Sequence, residues 1–199
     1  MKRILDLCGG TGSWSLPYAR AGYDVLIIDP LRNETVESYL NKLRYMIKIE
    51  GYRDLPCHGI LAAPPCTEFS SAGAKHWDSK DPALLDAAIG TVRACYEVIQ
   101  IFKPDWWAME NPVGRLAECC PFLGGWKHTF DPWEYGDPWT KKTCLWGEFV
   151  MPPKTYTDKR MVPNMSHERV HRMPGVKGRA MLRSMTPPRF AEAFFRSNP

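Results

Sequence analysis

Residues 3–15 read RILDLCGGTGSWS. A short apolar run stops at three glycines crowded into one turn, and a helix start follows, with Ser15 placed as its N-cap and Pro17 in its first turn. A strand, a glycine turn and a helix in that order open an α/β sheet. Gly10 and Gly12 let the backbone approach a ligand closely. They do so at the carboxyl end of the strand, where open α/β sheets bind their ligands.

Two ligand classes suit such a turn. A dinucleotide fingerprint wants a third glycine where this chain has Ser15. Asp6, placed before the glycines, would repel a pyrophosphate but suits the amino acid end of a sulfonium methyl donor. Residues 25–28, VLII, make a second strand closed by Asp29, seventeen positions beyond Gly12. A carboxylate there can accept from both hydroxyls of a ribose, or it can cap the turn before Pro30. From Thr35 the apolar residues Val36, Tyr39, Leu40, Leu43 and Ile47 keep helical spacing, which predicts a helix to about Ile49.

Residues 60–70, ILAAPPCTEFS, repeat the theme of an apolar strand stopped abruptly, here by Pro64 and Pro65. Cys66 is thereby delivered to the rim of the sheet, as a reactive thiol or as a small core hydrophobe. Ser70 to Lys80 are small and polar, with Gly73, Lys75 and His76, and read as a mobile loop over the rim. Asp81 then caps a long helix that starts with Pro82, carries one apolar stripe from Leu84 to Phe102 and ends at Lys103 and Pro104. DWWAMENP follows as a strand whose mouth carries Glu110, Asn111 and Pro112. Two parallel strands joined by one crossover helix stand close together, so Cys66 and Glu110 would face one pocket.

A chain of 199 residues without a long Gly/Ser/Pro linker predicts one cored domain. Seven cysteines, none in a Cys-x-x-Cys pair, suit a reducing cytoplasm. No secretory leader or membrane span is legible. The formal charge of +4 is unevenly spread, because residues 151–199 carry ten Lys or Arg against Asp158, Glu168 and Glu192. That balance suggests a polyanionic partner or else a solvated basic face. His167 and His171 bracket Glu168 with the spacing of a His-Glu-x-x-His site, but they are read as phosphate contacts or plain surface, and the adjacent Cys119 and Cys120 lack partners, so no metal is expected.

Taken in order, these segments resemble the DNA cytosine-5 methyltransferase family. DLCGGTGSW is similar to its methyl-donor loop, APPCTEFS to its nucleophile loop and MENP to its Glu-Asn-Val segment. YGDPWTKKTCLWG is similar to the Tyr-Gly-x-Pro-Gln-x-Arg-x-Arg stretch that leads into a later strand, and RSMTPPRFAEAF to the C-terminal Gly-Asn-x-x-Pro-Pro helix. The resemblance runs from Arg3 to Phe195. It departs at Cys8 for Phe, Thr67 for Gln, Pro112 for Val, Trp139, Lys141 and Thr143 for the Gln-Arg-Arg set, and Arg183 and Ser184 for Gly-Asn.

The resemblance implies a single Rossmann-like domain over 1–199, with a mostly parallel sheet and helices on both faces. It implies Cys66 as the thiolate that attacks cytosine carbon 6, with Glu110 and Asn111 completing the catalytic set. S-adenosylmethionine would be held by Asp6, Leu7, Cys8, Gly9, Gly10, Thr11, Gly12, Trp14, Asp29, Pro30, Asp54, Pro64 and Ser184. The family carries a target-recognition domain where this chain has only residues 148–182, a short basic insertion. Lys154, Lys159, Arg160, Arg169, Arg172, Lys177 and Arg179 of that insertion, with Ser70, Lys75 and Lys141, are expected to contact DNA, foremost a duplex. The target base would have to be flipped out of the stack. A monomer is expected. Single-stranded nucleic acid, RNA or a free nucleotide as substrate, and a non-catalytic DNA-binding relative, stay open beside this reading.

Overall fold

Side-chain alternation along the first strand sets the layers. In β1 (Arg3–Leu7), Leu5 and Leu7 enter one apolar cluster and Ile4 enters the other. A strand covered on both faces must read as a nearly continuous apolar run, and in β3 (Gly59–Ala62) all four residues are buried. The computed structural model describes residues 1–51, 56–165 and 184–199. Its six-stranded sheet has the spatial order β2 (Asp24–Ile28), β1, β3, β4 (Trp106–Pro112), β6 (Thr143–Glu148) and β5 (His128–Phe130). The first four strands are parallel, and β6 runs antiparallel to both β4 and β5. This is the mostly parallel α/β sheet that the sequence predicts.

Two helices, α2 (Val36–Glu50) and α3 (Pro82–Phe102), pack against each other. Their apolar faces share a cluster with Leu5, Leu7, Ile60 and Ala62. Thr35 caps α2 by accepting from the Ser38 amide at 3.1 Å, and Asp81 caps α3 by accepting from the Ala83 amide at 2.9 Å. On the opposite face α1 (Leu16–Arg20) packs with α5 (Pro188–Ser197). Phe190, Ala191 and Phe194 of α5 are buried there with Trp14, Tyr18 and Trp106. Phe130 stacks on Phe190 with centroids 3.7 Å apart, and aromatic burial of this kind contributes roughly 1.5–3 kcal/mol per side chain. A fourth helix, α4 (Leu116–Cys119), follows β4. Among the described residues no helix is long and apolar enough to cross a membrane.

The chain leaves β1 for β2 on one side and returns to β3 on the other, which opens a crevice at their carboxyl ends. Register places Leu7 beside Ala62 and Ala62 beside Met109, so the segments that follow these three residues emerge on one rim. Because β6 runs backward, its beginning lies at the same rim, with Thr143 opposite Pro112.

Candidate active site

The glycine turn after β1 is held from two sides by carboxylates. Asp29 accepts from the Gly10 amide at 2.9 Å and from the Leu31 amide at 2.8 Å, so it caps the turn at Pro30 and ties the ends of β1 and β2 together. Asp6 is fully buried beneath the turn, and a β-carbon on Gly9 would stand 2.5 Å from its Cγ. Ser15 Oγ donates to Asp6 Oδ2 at 2.5 Å, while Oδ1 has no hydrogen-bond partner among the described residues. Burial pushes the Asp6 carboxyl up to about 7, against the lowering effect of the Ser15 hydroxyl and with a small upward push from Asp29.

Three expectations change here. Asp6 supports the turn from below and is not presented to an incoming ligand. Ser15 precedes α1, but its backbone is already helical and its hydroxyl makes no cap bond, because Asp6 captures it. Trp14 lies in the aromatic core, edge-on to Phe194 at 5.5 Å and 2 % exposed, so its ring is not available to stack on a ligand. Leu7 is buried, while Cys8, Gly9, Gly10, Thr11 and Pro30 are open to solvent in part or in full. Cys8, Gly10 and Gly12 take positive φ, which winds the turn tightly, and Cys8 Sγ lies 4.0 Å from Cys95 Sγ on α3. Ser13 donates to the Thr186 carbonyl at 2.7 Å, which brings the segment after Ser184 to the turn. Asp54 lies outside the described residues.

The second rim segment is a turn closed around Cys66, whose carbonyl accepts from the amides of Phe69 at 3.1 Å and Ser70 at 2.9 Å. Cys66 itself is partly buried and Pro64 is buried. Two cations that sequence reading passed over hold this turn. Lys80 donates to the Thr67 carbonyl at 2.8 Å and pairs with Glu68, and Arg115 donates to the Glu68 carbonyl at 2.9 Å. Gly114 lets the two segments touch, because a β-carbon there would lie 1.8 Å from the Phe69 carbonyl oxygen. The expected mobile loop is instead a 3-10 helix over Ser71–Ser79. Ser70 caps it, and Trp77 lies under the Arg115 guanidinium at 4.4 Å. Small polar composition predicted mobility, but these long-range contacts order the segment. Lys75 remains exposed on it.

At the mouth of β4, Asn111 Nδ2 donates to the Pro64 carbonyl at 2.9 Å and so fastens the carboxylate strand to the Cys66 segment. Glu110 points to the other face of the strand and is 5 % exposed. Its Oε2 has no hydrogen-bond partner among the described residues, and its Oε1 lies 3.8 Å from Lys141 Nζ. Sequence reading grouped Lys141 with the outward phosphate contacts. The structure turns it inward instead.

The basic insertion is only partly described. Lys154 pairs with Glu134 at 2.6 Å and Arg160 with its near neighbour Asp158 at 2.5 Å, and Lys154, Lys159 and Arg160 are all exposed. Arg169, Arg172, Lys177 and Arg179, together with His167 and His171, lie outside the described residues.

The profile of the C-5 cytosine-specific DNA methylase family matches residues 2–118. The type II methyltransferase M.HindV of Haemophilus influenzae is 25% identical over 122 residues, 55% of this chain and 37% of the relative. The type II methyltransferase M.FnuDI of Fusobacterium nucleatum is 25% identical over 125 residues, 58% of this chain and 34% of the relative. The matched stretch thus spans little more than a third of the length of these curated relatives. Among solved structures, a prophage-encoded DNA modification methyltransferase of E. coli is 17% identical and covers 74% of this chain and 46% of its own, with a TM-score of 0.48. The Entamoeba histolytica methyltransferase EhMeth is also 17% identical and covers 74% of this chain and 52% of its own, with a TM-score of 0.43.

Proposed function

Because the chain belongs to the C-5 cytosine-specific DNA methylase family, we propose that it methylates carbon 5 of cytosine in DNA through a transient covalent bond to Cys66. The observation that carries this reading is the hydrogen bond from Asn111 to Pro64, which fastens a partly buried thiol segment to the strand bearing a buried carboxylate.

A methyl donor is implied by the family, and S-adenosylmethionine fits the residues present. The backbone at Cys8, Gly10 and Gly12 is wound tightly, Cys8, Gly9, Gly10 and Thr11 are open to solvent in part or in full, and Asp29 lies at the end of the neighbouring strand. Cys8, Gly9, Gly10, Thr11 and Asp29 would hold the donor, with Pro30 and the Pro64 segment at its margins. When bound, it supplies an electrophilic methyl group to carbon 5.

The rest of the chemistry falls to the chain. Cys66 forms its sulfur–carbon bond at carbon 6, and the electrons of the 5,6 double bond make carbon 5 nucleophilic. Glu110 meets the exocyclic amine and ring nitrogen 3, on which charge appears as the thiolate attacks. A water molecule acting as base then takes the carbon 5 proton, the electrons of that carbon–hydrogen bond re-form the 5,6 double bond, and the carbon–sulfur bond breaks to release the Cys66 thiolate. Cys66 is partly buried and Glu110 buried, so the base must leave the stack to reach them, at a cost of roughly a few kcal/mol. Exposed Lys75 and Lys159 are suited to phosphates beside the site.

Nucleoside mass spectrometry of DNA treated with the protein and S-adenosylmethionine tests this reading. The expected product is 5-methylcytosine with the wild type and none with Cys66→Ala, which retains donor binding. Parallel incubations with duplex, single strand and dCMP identify the form of the substrate. Full activity in Cys66→Ala would remove the covalent mechanism.

A further inference from the structure

We propose that Cys8 and Cys95 form a reversible oxidation site: a peroxide-class oxidant joins them as a disulfide, which pulls the glycine turn toward α3 and weakens its hold on the methyl donor. The linkage stands on geometry alone, while its effect on the donor rests on the methyltransferase reading given above.

The two sulfurs lie 4.0 Å apart although 87 positions separate the residues in sequence. Their surroundings differ. Cys8 heads the glycine turn and is partly exposed, whereas Cys95 is fully buried. Contact with the Cys8 thiol, and then burial, hold the Cys95 thiol well above the ordinary range, so an external oxidant meets Cys8 first. An accessible thiol with a second thiol beside it is the arrangement of a sensing cysteine and its resolving partner. In a reducing compartment, disulfides are mostly of this transient kind.

The chemistry closes in two steps. The Cys8 sulfur attacks one oxygen of hydrogen peroxide, the O–O bond breaks, and the thiol proton leaves with the other oxygen as water, so that Cys8 becomes a sulfenic acid. The Cys95 sulfur then attacks the Cys8 sulfur while its proton passes to the departing hydroxyl. The S–S bond forms, the S–O bond breaks and a second water leaves. Two thiols are oxidised and one peroxide is reduced to two waters, and a dithiol reductant restores both thiols by exchange.

A disulfide holds its sulfurs about 2 Å apart, so roughly half of the present separation must be closed by movement. Helix α3 is poorly placed to supply it. Cys95 lies within 21 helical residues that Arg44 of α2 grips through Glu97 at 2.7 Å, and Val92, Val98 and Ile99 are buried in the same cluster. The turn yields instead. Its backbone is wound by positive φ at Cys8, Gly10 and Gly12, and it is fastened by the Cys8 amide to the Ile28 carbonyl at 2.8 Å and by the Gly10 amide to Asp29 at 2.9 Å. Drawing Cys8 toward α3 pulls on these bonds and shifts Gly9, Gly10 and Thr11, the residues that would hold the donor.

The test uses the full-length Cys66→Ala protein, which removes oxidation of the nucleophile from the readout, with and without Cys95→Ala. Each is treated with stoichiometric hydrogen peroxide, mapped by non-reducing peptide mass spectrometry and titrated with S-adenosylmethionine by calorimetry. With Cys95 present, the Cys8 and Cys95 peptides should be joined and donor affinity should fall by about tenfold or more, both reversed by dithiothreitol. With Cys95→Ala, the reduced protein should bind the donor normally, no linkage should form, and dimedone should label Cys8 as a sulfenic acid. Because coupling is reciprocal, saturating donor should make the pair easier to reduce by about 30 mV for each tenfold difference in affinity. Absence of the Cys8–Cys95 linkage under peroxide overturns the site. A linkage that leaves donor affinity unchanged, or an equal and equally reversible loss of affinity in Cys95→Ala, overturns the coupling. If the reduced protein binds no S-adenosylmethionine, the donor reading fails and the coupling fails with it, whereas the mapped linkage is decided separately.

Discussion

Asn111 donates its side-chain amide to the carbonyl of Pro64 across 2.9 Å, joining the mouths of β3 and β4. Both groups are buried, and that carbonyl immediately precedes the Pro65–Cys66 step. Replacing Asn111 by Ala leaves a buried carbonyl without its donor, which costs about 1–3 kcal/mol. Urea denaturation should register that loss. The single-turnover rate should fall further than stability alone explains, because the thiol segment is no longer locked to the carboxylate strand. An Asn111→Ala protein with wild-type rate would show that the bond is structural only.

Gly9→Ala places a β-carbon within 2.5 Å of the Asp6 carboxylate, a distance at which something must shift. Asp6 is fully buried and held by the Ser15 hydroxyl, so either that bond or the backbone of the turn must give, at a cost of about 1–3 kcal/mol. Calorimetric titration with S-adenosylmethionine should show affinity reduced by about tenfold or more. Gly90→Ala, on α3 where a β-carbon meets nothing within 4 Å, is the control expected to bind normally.

Asp6 gives stability a pH dependence of definite sign. Its ordinary value is 3.8 and burial raises it to about 7. Below pH 3.8 both folded and unfolded chains hold the proton. Between there and about 7 only the unfolded chain releases it, so the contribution favouring folding is lost as pH rises through that window. The total is roughly 4 kcal/mol by linkage. Urea midpoints at pH 4.5 and 7.5, each taken as the difference between wild type and Asp6→Asn, should show the wild type losing ground at the higher pH. A constant difference would mean that Asp6 is already ionised in the fold.

The cysteines should separate by reactivity. Cys95 is fully buried, and the neighbouring Cys8 thiol together with burial holds its own thiol well above the ordinary range. Burial also pushes Cys120 and Cys144 up to about 11. Brief alkylation of the native protein by iodoacetamide at pH 8, read by peptide mass spectrometry, should mark the partly exposed Cys66 and spare these three. Modification of Cys95 ahead of Cys66 would contradict the packing of α3.

The central strands were legible because a strand buried on both faces leaves a continuous apolar run, and because glycines or prolines stop β1, β3 and β4 at the rim. β5 and β6 were not predicted as a pair. Their short segments acquire meaning only from partners on β4. Charge could be counted along the chain, but its direction could not, which is why Lys141 was expected outside and is found against Glu110. The Ser71–Ser79 segment escaped for a related reason, since Arg115, which covers Trp77, is remote from it in sequence. Asp6 was expected to face a ligand. Its depth beneath Gly9 was not a property that local sequence could reveal.

The carboxamide of Asn198 receives the Val150 amide at 2.7 Å and donates to the Val150 carbonyl at 2.9 Å, near the far end of β6, while Ser13 grips Thr186 at the rim. The stretch between Val150 and Thr186 is therefore moored at both its departure and its return. A change of length or composition between these moorings is thereby separated from the register of β4 and β6, which the two anchored ends hold independently of it.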